Sequence, residues 1–183
     1  TTRITATHNL TLPFTRMLLG PMDYTPGGFR NVRPAEFKPQ HIAPQVMTTR
    51  AQQLAMYVVY ESPFAVVSDR PEQYENVPAA QFLRDVPASW DETRAIEGTI
   101  GEHIVLARRS GKDWYVGAMT NEQARTLTLP LSFLGKGTWT ATIYADGEAP
   151  TEVRIDTRKL TRNDSLHLQL AANGGAAIRL QKK

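Results

Sequence analysis

The feature that most constrains the fold is a change in the spacing of apolar residues near residue 91. From about Thr93 onward, short segments that alternate apolar and polar residues, or carry many branched ones, are separated by turns rich in Gly and Asp. Such alternation predicts strands, and repeated short strands at this spacing predict an antiparallel β-sandwich over residues 91–183. The predicted strands lie in EHIVLARR, DWYVGAMT, TLTLPLSF, TWTATIYADG, EVRID, SLHLQL and AAIRLQ, and ARRSGKDWYVG predicts a hairpin.

Residues 1–90 have a different character, with many prolines and helical apolar spacing. TLPFTRMLLG predicts a helix capped by Thr11 and stopped by Gly20, and GPMDYTPGG predicts a very short strand over residues 22–24 that runs into a turn. APQVMTTRAQQLAMYVVYESP predicts the clearest helix, ending before Pro63. Two further short helices are predicted in RPEQYEN and PAAQFLRDVP.

This order of elements predicts an α+β fragment. A helix, a short strand, a loop and a longer helix, followed by an all-β module, fit the last strand and helices of a (β/α)8 barrel with an appended antiparallel C-terminal β-sandwich. An eight-stranded barrel takes about 250 residues, so residues 1–90 have room for only its C-terminal end. The turn after residues 22–24 would then lie at the barrel mouth, where active sites form.

The composition and charge of the chain exclude several classes of function. The chain has 183 residues, 41% hydrophobic and 21% charged, and a net charge of +3, without a basic run that would predict nucleic-acid binding. It has no apolar stretch long enough to span a membrane and no signal peptide pattern. The absence of cysteine excludes disulfides and thiolate chemistry. A first residue of Thr rather than Met suggests a mature product or a fragment.

The segment HNLTLPFTRMLLGPMDYTPGGF resembles a signature of glycoside hydrolase family 97. The resemblance continues through QLAMYVVYESPFAVVSDRPEQY and FLRDVPASWDETRAIEGTIGEHIVLARRSGKDWYVGAMTN into the strand-rich tail. That family contains retaining and inverting α-glucosidases and α-galactosidases, many of them from bacterial periplasms. Its members combine an N-terminal β-sandwich, a catalytic barrel and a C-terminal β-domain, with a calcium ion near the active site.

The resemblance implies that this chain is the C-terminal portion of such an α-glycosidase. Glycoside hydrolysis requires two carboxylic acids, and the resemblance places them, with the calcium ligands, in polypeptide before Thr1. The chain alone is then inactive, its partners are an oligosaccharide substrate and the rest of the same polypeptide, and its location is periplasmic or secreted. Some family members have Glu before the His that precedes LPFTRM. This chain has Thr7 there, which argues against the glucosidase type and leaves the galactosidase-like type or another subgroup open.

Three residues are candidates for the rim of the substrate pocket: Asp23, Tyr24 and His8. Each has a structural alternative, because Asp23 would equally cap the following turn, Tyr24 would pack under the loop, and His8 would be a helix-entry or surface residue. Gly27 and Gly28 are expected to serve a turn that needs positive φ. No residue is predicted to be catalytic or to bind a metal within this chain, since His41, His103 and His167 lie far apart.

The alternative function is a non-catalytic carbohydrate-binding or structural β-sandwich module. Trp90, Trp114 and Trp139 would supply a stacking platform for sugars, although tryptophans in strands usually belong to the core. Glu92, Glu97 and Glu102 are interpreted as a solvated edge rather than paired acids. A small standalone enzyme would require two converging carboxylates, which no sequence motif indicates.

Overall fold

The computed structural model describes residues 3–182, which form three α-helices and eight β-strands. The helices are α1 (Ala6–Thr11), α2 (Arg50–Val59) and α3 (Gln81–Asp85). Short 3-10 turns lie at Leu12–Phe14, Arg16–Leu19, Pro34–Glu36, Pro71–Gln73 and Pro78–Ala80. The strands are β1 (Glu92–Thr99), β2 (His103–Ser110), β3 (Asp113–Thr120), β4 (Arg125–Pro130), β5 (Trp139–Asp146), β6 (Val153–Leu160), β7 (Ser165–Leu170) and β8 (Gly175–Lys182). No helix within residues 3–182 is long and apolar enough to cross a membrane.

The strands form two antiparallel sheets over one apolar core. A six-stranded sheet has the order β1-β2-β3-β8-β5-β6, and β4 pairs with β7 in a two-stranded sheet. Inward side chains from both sheets, including Val116, Ile178, Leu129 and Leu168, are fully or almost fully buried between them. Every predicted strand segment overlaps an observed strand, and the predicted hairpin joins β2 to β3. The prediction of an antiparallel β-domain is therefore confirmed.

One edge strand, β1, was not predicted. It pairs with β2, and its register shifts between Ala95 and Glu97, where a β-bulge interrupts the ladder. Most of its side chains are exposed, so its sequence lacks the apolar alternation that identifies the other strands. Glu92 and Glu102 form ion pairs with arginines at this edge, and Glu97 lies 3.8 Å from Nε2 of His103, in agreement with a solvated edge.

Helix α2 lies directly on the outer face of the six-stranded sheet. Two glycines allow this close approach, because a Cβ added at Gly117 would lie 2.6 Å from the carbonyl oxygen of Ala55, and one at Gly175 would lie 2.8 Å from the Cα of Gln52. Buried Leu54 of α2 packs with Tyr115 of the sheet in one apolar cluster. Residues from before and after position 90 thus share a core.

The predicted helix at residues 11–20 is wrong in its boundaries. Thr5 is the N-cap of α1, since its hydroxyl accepts the backbone N–H of His8, whereas Thr11 is the last residue of that helix. Pro13 lacks an N–H and follows α1 closely, so the chain continues in 3-10 turns rather than in an α-helix. Gly20 ends this segment with φ of 114°, as predicted.

The predicted strand over residues 22–24 does not form within the described residues, and its interpretation as the last barrel strand stays a prediction. These residues lie outside any described ladder, and the backbone N–H of Met22 donates to the carbonyl oxygen of Glu61 at 2.9 Å. None of the described strands lies beside this segment, so the strands that would flank it in a barrel belong to the preceding polypeptide if the prediction holds. The long helix is shorter than predicted, because Thr49 caps it and Tyr60 is already extended.

Candidate pocket rim

The loop of residues 20–30, called here the rim loop, is anchored to α2 by polar side chains. The Oε1 atom of Gln53 accepts the backbone N–H groups of Gly27 and Gly28 at 3.0 and 3.1 Å. The Tyr57 hydroxyl lies 3.1 Å from the carbonyl oxygen of Pro26 and donates to the loop from the same helix. Because these bonds are buried or half-buried, the loop has a defined shape without belonging to a sheet.

The two glycines of the rim loop have different roles. Gly27 has φ of 86°, so the expected positive φ is confirmed there. Gly28 is not among the residues with positive φ, but a Cβ at this position would lie 2.6 Å from Cγ1 of Val46. Gly28 is therefore required by close packing rather than by backbone conformation.

A half-buried charge pair holds the end of the rim loop. The Asp69 carboxylate accepts the backbone N–H of Phe29 at 2.8 Å and Nε of Arg30 at 2.9 Å. Arg50 donates to the Phe29 carbonyl oxygen and its guanidinium lies 4.7 Å from the centre of the Phe29 ring. Burial lowers the pKa of Arg50, and the nearby Asp69 opposes that shift. Asp69 is thus engaged in structure and is not a free acid.

Tyr24 joins the rim loop to α1 and to Tyr60, the residue that follows α2. Its hydroxyl donates to Oδ1 of Asn9 at 3.2 Å, and its ring packs edge-on against Tyr60 with centroids 4.8 Å apart. The Tyr60 hydroxyl in turn donates to the Asn9 carbonyl oxygen at 2.8 Å. Burial raises the pKa of Tyr24, so its hydroxyl is a neutral hydrogen-bonding group at physiological pH.

A cleft of about 260 Å³ opens beside Tyr24. Its walls come from α1, the rim loop, α2 and the segment around residue 45, and they include Asn9, Tyr24, Gly28, Gln53, Ser68 and Asp69. These groups are mostly neutral, and the one carboxylate is already paired with Arg30. The cleft is suited to hydrogen bonding of hydroxyl groups and lacks the two available acids that glycoside hydrolysis needs.

Asp23 and His8 are exposed. Asp23 makes no hydrogen bond or ion pair with any residue from 3 to 182, so the structure gives no support to the interpretation that it caps the turn. The imidazole of His8 likewise has no partner among these residues, and only its backbone N–H is used, in the cap of α1. The structure connects Tyr24 to α1 through Asn9 and leaves both other rim candidates with side chains in solvent.

Other candidate groups have structural roles. Trp114 and Trp139 are buried in the sandwich core, and Trp90 packs against Tyr115, so the described tryptophans form no exposed platform. Arg16 donates to the backbone carbonyl oxygens of Gly20 and Pro21. Among residues 3–182, no group of three or more acidic or histidine side chains is placed to hold a metal ion.

Sequence reasoning missed Asn9, Gln53 and Tyr60, which build the rim. One signal was available for Gln53. Gln52 and Gln53 are consecutive polar residues in an otherwise apolar helix, and both are buried. Buried amides need partners, so such a pair indicates that the helix is contacted on two sides by backbone. Gln52 bonds the carbonyl oxygens of Thr120 and Gly174, while Gln53 holds the rim loop.

The fold and the site define a class of protein: a β-sandwich domain with a helical layer that presents a loop, without paired acids in the described cleft. Residues 89–181 match the family model described as "Glycosyl-hydrolase 97 C-terminal, oligomerisation". The chain belongs to this glycoside hydrolase 97 C-terminal family.

Relatives of known description are longer. The chain is 37% identical over 179 residues to a retaining alpha-galactosidase of Bacteroides thetaiotaomicron, covering 95% of this chain and 27% of that protein. It is 39% identical over 174 residues to a probable retaining alpha-galactosidase of Streptomyces bingchenggensis, covering 94% of this chain and 25% of that protein. The chain therefore spans about a quarter of the length of these relatives.

Solved structures agree in fold. A glycoside hydrolase family 97 enzyme from Pseudoalteromonas sp. strain K8, in complex with acarbose, superposes with a TM-score of 0.86 at 42% identity, covering 97% of this chain and 28% of that one. A beta-arabinopyranosidase superposes with a TM-score of 0.77 at 29% identity, covering 95% of this chain and 27% of that one.

Proposed function

We propose that this chain is the C-terminal part of an α-glycosidase that hydrolyses α-galactosidic or α-glucosidic bonds, with both catalytic carboxylates in polypeptide before Thr1. The observation that carries the proposal is the match of nearly the whole chain to about a quarter of two α-galactosidases. The described cleft lacks a free pair of acids, which fits a division of labour between this chain and a preceding barrel.

Exposed apolar residues support the assignment of residues 1–90 to the end of a (β/α)8 barrel. Large hydrophobic side chains in this region stand in solvent, with Leu18 77%, Leu19 85% and Phe64 80% exposed. Exposed apolar patches of this kind mark surfaces that another part of a protein covers. We assign their cover to the preceding barrel elements of the same polypeptide, and residues 91–183 to the C-terminal β-sandwich that supports them.

The rim loop has a positioning role in this proposal. Gln53 and Tyr57 hold its backbone, and α2 is in turn fixed to the sheet, so the loop is presented to the pocket in a defined shape. Asp23 has a free carboxylate that accepts hydrogen bonds from sugar hydroxyl groups. Tyr24 forms the neutral wall, and His8 lies on the adjacent helix.

Substrate preference is proposed to be galactosidic. Two curated relatives are described as retaining α-galactosidases, and Thr7 occupies the position of the Glu found in some family members. Thr7 donates its hydroxyl and its backbone N–H to Glu122, so a Glu at position 7 would place a second carboxylate against that one. Glucosides are the alternative substrates, because a family 97 enzyme of similar structure binds acarbose.

Calcium is a further part of the proposal. The described residues offer no cluster of acidic or histidine ligands, so residues 3–182 do not fit a calcium site on their own. The ligands are expected in the preceding polypeptide, and a periplasmic or secreted location is proposed from the same family resemblance. Loss of activity of the longer enzyme in EGTA, with recovery on adding calcium, tests the first point, and cell fractionation tests the second.

The deciding experiment compares this chain with the longer polypeptide that contains it. Both are purified and assayed with nitrophenyl α-galactoside and nitrophenyl α-glucoside. We expect turnover by the longer protein, faster with the galactoside, and none by the chain alone. Turnover by the chain alone would overturn the proposed location of the acids, and a longer protein inactive on both substrates would overturn the proposed activity.

The competing proposal, a carbohydrate-binding or structural module, is tested on the same chain. Oligosaccharides of starch and galactan are titrated while tryptophan fluorescence is followed. Because Trp114 and Trp139 are buried, we expect no saturable change. A saturable change would favour the binding module.

We also propose that the chain self-associates, since the description of its family includes oligomerisation.

A further inference from the structure

The two edges of the six-stranded sheet differ in how they are protected. The edge strand β1 carries a bulge between Ala95 and Glu97, a device that discourages pairing with another strand. The opposite edge strand, β6, pairs with β5 in unbroken register from Val153 to Leu160. No described residue forms a backbone hydrogen bond to the free side of β6, so this edge offers unpaired N–H and C=O groups.

The side chains of β6 alternate in charge along one face. Arg154, Asp156 and Arg158 stand opposite Ala145, Ile143 and Ala141 of β5, so they share the face that carries the sandwich core. Asp156 and Arg158 are about half exposed and pair with each other within the strand. A row of like charges would repel a second copy of this edge. The pattern Arg154, Asp156, Arg158 instead allows registers in which the Asp of one copy lies opposite an Arg of the other.

We propose that β6 pairs with β6 of a second copy of this chain, antiparallel about a two-fold axis at Thr157. This inference rests on the proposed self-association and names its surface. In this register Asp156 of each copy faces Arg158 of the other, and Ile155, which is 42% exposed, faces the aliphatic stem of Lys159. The two six-stranded sheets then continue into one another, with the helical layers on the same side.

Other symmetric registers fit less well. An axis at Asp156 places that carboxylate against itself and Arg154 against Arg158, which is repulsive. An axis at Ile155 limits the overlap within the strand to residues 153–157, against 154–160 for the axis at Thr157. It also requires Arg154 to face Asp156, although its Nε already donates to the Asp146 carbonyl oxygen at 2.8 Å.

Charge reversal tests the register. In the Asp156→Arg variant two arginines face each other across the axis, and in Arg158→Asp two aspartates do, so each variant is expected to weaken dimerisation about tenfold. The double variant with both changes restores opposite charges and is expected to dimerise as the parent chain does. An equimolar mixture of the two single variants is expected to form a heterodimer more tightly than either forms a homodimer.

Sedimentation velocity over a range of concentrations of the 183-residue chain measures these equilibria. Matched controls are Glu97→Arg on the bulged edge and Lys112→Asp in the β2–β3 turn, both expected to leave dimerisation unchanged. Circular dichroism establishes that each variant is folded, and the double variant keeps the test valid if one single variant unfolds.

Three results would count against the inference. A parent chain that stays monomeric at every concentration overturns both the self-association and its surface. If dimerisation is as tight in both charge-reversal variants as in the parent chain, the β6 surface is overturned while self-association stands. Single variants that weaken dimers without rescue by the double variant or the mixture overturn the register at Thr157. None of these results bears on the proposed hydrolysis, which is measured separately.

Discussion

Residues 3–90 and residues 91–182 differ in how completely they bury their apolar side chains. In the sandwich, the strands supply both layers of the core, and only Ile100 and Ile155 are exposed large hydrophobic residues. The region before it leaves Ile4, Leu18, Leu19, Ile42, Phe64, Val66 and Val67 exposed. The difference teaches that the six-stranded sheet is covered on both faces, by β4 and β7 and by the first region, whereas the first region is covered by the sheet on one side only.

The largest expected effect separates the two regions. A Gly117→Val change places a side chain against the Ala55 carbonyl oxygen, 2.6 Å from the new Cβ, and against Val59, so α2 must move away from the sheet. We expect a loss of about 3 kcal/mol in the free energy of unfolding, measured by urea denaturation. Gly135→Val is the matched control, because its Cβ would meet only Nζ of Lys182 at 4.0 Å. Equal stability of the two variants would show that α2 is not seated on the sheet.

The next effect is a pH dependence at the junction of α2 with the sheet. The buried Asp146 carboxylate accepts the hydroxyl of Thr49, the N-cap of α2, and the backbone N–H groups of Ala171 and Gly175. Burial raises the pKa of Asp146 to about 6, and these hydrogen bonds oppose the shift without cancelling it. A pKa above the unfolded value means that the protonated carboxyl is favoured by folding.

The stabilisation from Asp146 is therefore complete below about pH 4 and is lost as the pH rises through about 6. Its size is on the order of 2–3 kcal/mol, measured as the free energy of unfolding between pH 4 and 7. Asp146→Asn keeps an acceptor for the two N–H groups and a donor toward Thr49, and should flatten this part of the profile. An unchanged profile in the variant would assign the pH dependence to other groups.

A smaller effect concerns the rim loop. Tyr24→Phe removes the hydroxyl that donates to Asn9 and leaves the ring contact with Tyr60, so we expect a loss of about 1 kcal/mol. Tyr144→Phe is the control, since the Tyr144 hydroxyl has no hydrogen bond within residues 3–182. Thermal denaturation measures both, and a larger loss in the control would contradict the assigned role of the Tyr24 hydroxyl.

The smallest effect on this chain is expected at the exposed apolar residues. Leu18→Ala and Leu19→Ala should change its stability by less than about 0.5 kcal/mol, because both side chains are already in solvent. In the longer polypeptide the same changes should lower stability by more, since the barrel is proposed to cover these positions. Equal effects in both proteins would contradict the proposal that preceding polypeptide covers Leu18 and Leu19.

The sequence predicted the sandwich better than the rim, for a physical reason. Alternating side chains in RTLTLP and SLHLQL reflect one buried face, and this pattern is visible within a few residues. β1 was missed because an edge strand with mostly exposed side chains has no such pattern. Residues 22–24 resembled a strand locally, but a strand exists only where neighbouring strands accept its hydrogen bonds.

The residues of the rim loop, like the strands, were predictable only where local sequence decides their contacts. Tyr24 was identified from a family resemblance, whereas its partners Asn9 and Tyr60 come from distant positions and carry no local motif. The turn-capping interpretation of Asp23 follows from local sequence, yet the rim loop is held by Gln53, which accepts the backbone N–H groups of Gly27 and Gly28. Competition between a near and a distant partner is decided by the packing of α2, which is not visible in residues 20–30.

By itself the sequence determined which segments become the strands β2 to β8, where the β2–β3 hairpin turns, and that glycines end or bend the chain at Gly20 and Gly27, because these properties depend on neighbouring residues alone. Only the tertiary structure decided that β8 lies between β3 and β5, that α2 lies against Gly117 and Gly175, and that the rim loop is hydrogen-bonded to Gln53. Those choices depend on which apolar faces meet and which buried polar groups find partners, and both are properties of the whole fold.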